Sequence, residues 1–205
     1  MMDKRYVDTV RLLLEVAPVV FEEPGFAIKG GTAINLFVRN MPRLSVDIDL
    51  VYTNFRHPRD AALSVIANAL GRIRERLATR GLEIQAPTVG VGEESKLFIR
   101  RGAQLVKVEV NHVFRGTVLD IVHAPLVDSA QNQFETEIEL PVLSAPELYG
   151  SKLVAAMDRQ HPRDLFDVLG LYREHGLTET IVECFVCYLA GHNRPMDEVL
   201  APRVD

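Results

Sequence analysis

Cysteine is scarce in this 205-residue chain: there are two, Cys184 and Cys187, so no disulfide framework organises it. Their C-x-x-C spacing lies in the apolar run from Ile181 to Ala190, which reads as a helix with buried cysteines. A zinc site there would need two more ligands, and only His192 is near. No apolar run approaches the roughly 18 residues of a membrane span, so no membrane partner is expected. The N-terminal stretch carries Arg11 and Glu15 and lacks the apolar region and cleavage site of a signal peptide, so a cytoplasmic location is expected. The six histidines show no H-x-x-x-H spacing, and none is assigned to a metal. Neither a G-x-x-x-x-G-K-[ST] loop nor a G-x-S-x-G elbow occurs, which weighs against P-loop and α/β-hydrolase chemistry. An excess of positive charge is also missing. The net charge of −5 argues against a general nucleic-acid coat protein while leaving room for a local basic groove.

What is present is an ordinary globular composition, 47% hydrophobic and 25% charged, without repeats or low-complexity tracts. The most informative stretch runs from Lys29 to Tyr52. Gly30 and Gly31 open a short apolar helix, a turn with Pro42 and Arg43 follows, and a strand then carries Asp47 and Asp49. Strand side chains alternate, so the two aspartates share a face while Ile48 and Leu50 point to the core. Carboxylates about 7 Å apart along a strand can bracket a divalent metal. A glycine pair at a helix start offers bare N–H groups to a phosphate. Taken alone, D-x-D is most simply a polar strand face. Joined to the glycine pair, it suggests a metal and a nucleoside triphosphate.

Along the chain, helical periodicity is read over Tyr6–Val20, Thr32–Arg39 and Asp60–Arg80, with a short strand at Phe26–Lys29 and the aspartate strand within Arg43–Tyr52. Arg72, Arg74, Arg76 and Arg80 lie largely outside the apolar stripe of the third helix. They read first as a solvated face near a helix C-terminus, and alternatively as a contact for an RNA backbone. Short alternating runs predict strands over Leu82–Gln85, Lys96–Arg101, Gln104–Val113, Thr117–Val122 and Thr136–Leu140. Ser144-Ala-Pro-Glu147 matches a capping box and opens a run of helices, broken at His161-Pro162, Gly176 and Gly191. The tail from Asn193 is expected to be loose or irregularly docked.

Further candidates lie downstream. In Lys107-Val-Glu-Val-Asn111, Glu109 shares a polar strand face with Lys107 and Asn111. It is either a third carboxylate for a metal site, serving as ligand or base, or part of a solvent-facing edge. Lys152 on a helix could meet a triphosphate as a point charge. Asp164 and Asp167, three residues apart on one helical face, either support that site or simply pair with Lys152.

Gly30-Gly31-Thr32-Ala33 with Leu36, followed by Pro42-Arg43-x-Ser45-x-Asp47-Ile48-Asp49-Leu50, resembles the AbiEii/AbiGii nucleotidyltransferase toxin family, which includes the MenT toxins. That family belongs to the DNA polymerase β-like nucleotidyltransferase superfamily. Ser151-Lys152-Leu153, Arg159 and Arg163-Asp164-Leu165-Phe166-Asp167 resemble its downstream segments. The resemblance implies an α+β fold, a mixed sheet with flanking helices over residues 1–142 and a helical lobe over 143–205, with a cleft between them. It implies transfer of a nucleotide from an NTP, with Mg²⁺ or Mn²⁺, to the 3′ end of tRNA. The implied setting is a toxin–antitoxin or phage-defence system with a cognate antitoxin. Carried over, Gly30, Gly31 and Thr32 would hold phosphates, with Arg43 and Ser45 shaping the turn or touching phosphate. Asp47 and Asp49 would bind the metal, with Glu109 as the third carboxylate. Lys152 would contact the triphosphate, and Asp164 or Asp167 would support catalysis. A protein or small-molecule acceptor, or a non-catalytic nucleotide-binding module, are the alternatives.

Overall fold

Apolar residues at 10, 13, 14, 17 and 20 give the first helix one continuous buried stripe. That stripe and its partner on a later helix clamp one face of a sheet. The computed structural model describes residues 4–86 and 95–201. In order they form α1 (Lys4–Phe21), β1 (Phe26–Lys29), α2 (Gly30–Ala33, continuing as a π-helical turn over Ile34–Val38), β2 (Asp47–Tyr52), α3 (Arg59–Thr79), β3 (Glu83–Gln85), β4 (Lys96–Arg101) and β5 (Gln104–Asn111). They continue as β6 (Val122–Pro125), α4 (Asp128–Phe134), β7 (Glu139–Val142), α5 (Ala145–Arg159), α6 (Pro162–His175), α7 (Glu179–Ala190) and α8 (Met196–Leu200). None of these helices is long and apolar enough to cross a membrane.

Among the described residues the strands form one mixed sheet in the order β3-β4-β5-β2-β1-β7-β6. The α+β architecture expected from the sequence is the one observed. β2 runs antiparallel to β1 and parallel to β5, and β1 runs parallel to β7. The alternation in β2 and β5 sends Ile48, Leu50, Val106, Val108 and Val110 into the core, where α1 and α3 pack against the sheet. The polar face of the same strands carries the aspartates. Leu148, Tyr149, Leu171 and Ile181 from α5, α6 and α7 join the same core, while Val154, Tyr188, Leu189 and Val199 form a smaller cluster. Val199 anchors α8, so the tail up to Ala201 is a docked helical turn rather than a loose end.

Two local expectations are corrected, and one residue explains both. Ser144 precedes α5 without a side-chain capping bond, and Glu147 is fully buried instead of turning back to the cap. Its carboxylate accepts the N–H groups of Val118 and Leu119, each at 3.0 Å, and the Tyr188 hydroxyl at 2.9 Å. Those backbone donors are then unavailable to a ladder, so Thr117–Ile121 is not strand and β6 begins only at Val122. Helix α4 carries only Ala130 and Phe134 as buried residues, too few to mark a helix in the sequence. Of Arg72, Arg74, Arg76 and Arg80, on and just after α3, three find partners within the chain. Arg72 and Arg76 pair with the buried Glu23, and Arg76 and Arg80 with Glu22. Cys184 is buried on α7 and Cys187 exposed, both as free thiols.

Glu147→Ala would leave two backbone donors and a buried hydroxyl unpaired. The expected cost is about 3 kcal/mol, read as a melting temperature lower by about 6–12 °C. Unchanged melting would show that the carboxylate does not hold these segments together.

Candidate active site

The centre of the sheet brings charged groups from four strands into one row. Asp49 on β2 lies opposite Lys29 of β1 on one side and Glu109 of β5 on the other, and Glu109 lies opposite Lys96 of β4. Asp47 lies opposite Lys107. The two aspartates and Glu109, predicted to share a polar face, therefore do stand side by side. Their environments differ. Glu109 is ion-paired to Lys96 at 2.8 Å and Lys107 at 2.7 Å. Burial alone would raise its carboxyl, but those lysines outweigh it and hold it below the ordinary carboxylate value. Asp47 and Asp49 make no side-chain hydrogen bond or ion pair among the described residues. Burial, reinforced by the Asp47 and Glu109 charges, keeps the Asp49 carboxyl above its ordinary value against the pull of Lys107 and Lys29.

The glycine pair makes room for this arrangement. Gly30 has φ +73°, and a Cβ there would run into the Asp49 carboxylate. A Cβ on Gly31 would lie 2.8 Å from Nη2 of Arg43 and 3.0 Å from Oγ of Ser45. Glycine at 31 thus lets the Arg43 guanidinium and the Ser45 hydroxyl close over the start of α2. Thr32 behaves differently from the reading that gives it a phosphate. Its side chain is fully buried, and Oγ1 donates to the Asp47 carbonyl, tying α2 to the aspartate strand.

Across the cleft, α5 and α6 supply the opposite charge. His161 caps α6 by accepting the Arg163 N–H, Pro162 occupies its first turn, and Asp164 and Asp167 fall on its buried face. Lys152 Nζ lies 2.9 Å from Asp164 and 3.5 Å from Asp167. Arg159 pairs with Asp164 at 2.9 Å. Arg43 grips Asp167 with two arms, Nε to Oδ1 at 2.8 Å and Nη2 to Oδ2 at 2.5 Å, and Asn35 donates to Oδ1 at 3.3 Å. Burial alone would raise the Asp164 carboxyl; Lys152, with help from Arg159, overrides it and holds the group below its ordinary value. Both acids are thus turned toward cations. Three cations against two carboxylates leave this wall net positive and facing the unpaired aspartates.

Two adjoining hollows share Asp49, Lys152 and Arg159. The smaller, about 140 Å³, is bounded by Gly31, Arg43, Ser45, Asp47, Arg163 and Asp164. The larger, about 420 Å³, extends along Lys29, Asn111, Phe114, Val154, Tyr188 and His192. Sequence reasoning missed this second group. Lys29 is read only as the end of a short strand, and Phe114 and Tyr188 are not singled out. The one available signal is that Lys29 directly precedes the glycine pair. Burial lowers the Lys29 ammonium to about 8, opposed by the Asp49 and Glu147 charges.

Asp47 and Asp49 fit a hard divalent cation as oxygen donors that no protein cation satisfies. Among the described residues no three His, Cys, Asp or Glu side chains converge as a metal cage. Such a partial site suits Mg²⁺, which binds through one or two carboxylates and completes its shell with water and substrate phosphate.

A family model described as "Nucleotidyl transferase AbiEii toxin, Type IV TA system" matches residues 11–204. The chain belongs to the AbiEii nucleotidyltransferase toxin family. It is an enzyme of the nucleotidyltransferase class, and the family implies an NTP substrate and an antitoxin partner. The AbiEii chain is similar in structure to MenT4, a nucleotidyltransferase toxin from Mycobacterium tuberculosis H37Rv, at TM-score 0.64 and 19% identity, covering 95% of this chain and 73% of that one. It is also similar to the antibiotic-resistance factor ANT(2'')-Ia, seen in solution, at TM-score 0.52 and 14% identity, covering 92% and 94% of the two chains. At these identities the likenesses speak for the fold. Comparison with curated proteins gives no sequence match.

Two outcomes follow from the geometry. Gly30→Ala forces its new methyl against the Asp49 carboxylate at a left-handed backbone position, so nucleotide transfer should fall by at least about 10-fold. Steady-state rates beside a circular dichroism spectrum check this, and full activity in the variant would contradict it. Asp164 has a folded-state pKa below that of the unfolded chain. Its contribution to stability is therefore complete above the ordinary carboxylate range and is lost as pH falls through the folded-state value. Melting curves of wild type and Asp164→Asn should differ at pH 7 and draw together as the pH falls below the ordinary carboxylate range; a gap that does not narrow in acid would reject this linkage.

Proposed function

We propose that this chain moves a nucleoside monophosphate from an NTP to the 3′ end of tRNA, as the toxin of a toxin–antitoxin or phage-defence system with its cognate antitoxin. The observation that carries the chemistry is the opposition of two unpaired aspartates to a net-positive wall across one cleft. An NTP carrying a divalent metal has the complementary charge pattern. In this reading Asp47 and Asp49 hold Mg²⁺ or Mn²⁺, with Glu109 as the third carboxylate of the row. When bound, the metal neutralises phosphate charge and orients the reacting groups. Lys152, Arg43 and Arg159 attract the triphosphate, with Gly30, Gly31 and Ser45 lining its seat. Asp164 and Asp167 hold those cations in place. The acceptor hydroxyl oxygen bonds to the α-phosphorus, the α–β phosphoanhydride bond breaks, pyrophosphate leaves, and the hydroxyl proton passes to solvent.

A second reading keeps the chemistry and changes the acceptor to a small molecule or protein. The 420 Å³ hollow favours the small molecule, since it is of the size that encloses one such ligand.

Purified protein incubated with each of the four α-³²P-labelled NTPs and, separately, tRNA, cell protein and small-molecule extract should label tRNA. Asp47→Ala or Asp49→Ala should lower transfer by at least about 100-fold without unfolding the chain. EDTA should abolish it and Mg²⁺ restore it. Label that survives both substitutions would sink the proposed chemistry, and label confined to protein or small molecules would move the acceptor to the second reading.

A further inference from the structure

The reaction just proposed draws its cations from the helical side and leaves one on the sheet side without a task. Lys29 closes β1, stands opposite Asp49 in the sheet, and immediately precedes Gly30. Of the lysines and arginines lining the larger hollow, Lys152 and Arg159 are each within salt-bridge distance of a carboxylate. Lys29 has no such partner among the described residues, and its ammonium instead lies 5.0 Å from the centre of the Tyr188 ring.

That ring is fixed from two sides. It stacks on Phe114 with centroids 4.0 Å apart and planes 19° apart. Its hydroxyl donates to the buried Glu147 carboxylate. Phe114 is held in turn by its N–H bond to Asn111 Oδ1 at 3.2 Å and lies against Gly191, where a Cβ would collide with its ring. The ammonium is therefore held at a fixed place in the wall next to Asp49, with its donors unspent. Lys29 is half-buried at the edge of the hollow, and a partly desolvated cation without a carboxylate partner is well placed to meet an incoming anion.

Resting on the nucleotidyl-transfer reading, we propose that Lys29 is a catalytic residue whose ammonium contacts a non-bridging oxygen of the α-phosphate from the sheet side, opposite Lys152. Charge at that phosphate shifts during transfer, and a fixed donor aimed at it acts on the chemical step more than on ground-state binding. Tyr188 and Glu147 serve as positioning residues for the ammonium.

The test compares wild type, Lys29→Met and Lys29→Arg in single-turnover transfer with the two α-phosphorothioate diastereomers of the preferred NTP and with the normal NTP. Lys29→Met should lower the chemical rate by about 100-fold while the NTP dissociation constant changes less than about 3-fold. Lys29→Arg should restore part of the loss. Sulfur at the contacted oxygen should slow wild type and slow Lys29→Met much less, because the contact it disturbs is already gone. Melting temperatures separate this from a folding defect; if Lys29→Met fails to fold, the same comparison on Lys29→Gln decides. A Lys29 variant that keeps pace with wild type, or equal sulfur effects in both, would overturn this inference and leave the transfer reading standing. A wild type that transfers no label to any acceptor overturns both.

Discussion

Asp167 is the carboxylate on which the cleft depends. It is fully buried on α6 and accepts both arms of Arg43, with Lys152 and Asn35 beside it. Arg43 belongs to the turn before the aspartate strand and Lys152 to a helix more than a hundred residues later. One buried carboxylate thus sets the helical wall at a fixed distance from the sheet row. Removal of one partner from such a cluster leaves a charge stranded in the interior, which typically costs 3–5 kcal/mol. The cluster therefore ties the stability of the helical segment to the geometry of the cleft.

From that tie follows a division of labour among like residues. On the sheet, Glu109 is neutralised by two lysines while Asp47 and Asp49 are left open. On the helices, Asp164 and Asp167 are neutralised and the surplus positive charge is left open. The sheet wall thus presents two open carboxylates and the helical wall a surplus of positive charge. A ligand carrying both signs, as a metal–triphosphate does, completes the two at once. ANT(2'')-Ia, at 14% identity, shares the overall fold, so the scaffold tolerates wide sequence change.

The sequence makes the regular parts of this legible and hides the parts decided by long-range contacts. Asp47, Asp49 and Glu109 follow from the two-residue period of strands, and Asp164 and Asp167 from the helical period, because local geometry alone fixes which face each takes. The neighbours that distinguish Glu109 from Asp49 come from the strand order, which no local pattern encodes. Glu147 matches a capping rule and obeys a different demand, since its carboxylate goes to the N–H groups of Val118 and Leu119 in a distant loop rather than to the helix start. Thr32 is a similar case: its hydroxyl faces a neighbouring strand rather than the cleft. Lys29 is visible in the sequence, yet its role depends on an aromatic ring from residue 188.

The π-helical turn at Ile34–Val38 has its own consequence. The Arg39 N–H reaches back five residues to Ile34, so the helix holds one residue more than an α-helix would over the same rise. Each residue of an α-helix turns the chain by about 100°, so that extra residue is a phase correction. It fixes the direction in which the chain leaves toward Arg43. The spacing between the glycine pair and the aspartate pair is thus an angle as much as a length. An insertion in the turn around Asn40 would lengthen the connection and leave that angle intact, whereas one in the helix before it would turn the chain away from Arg43.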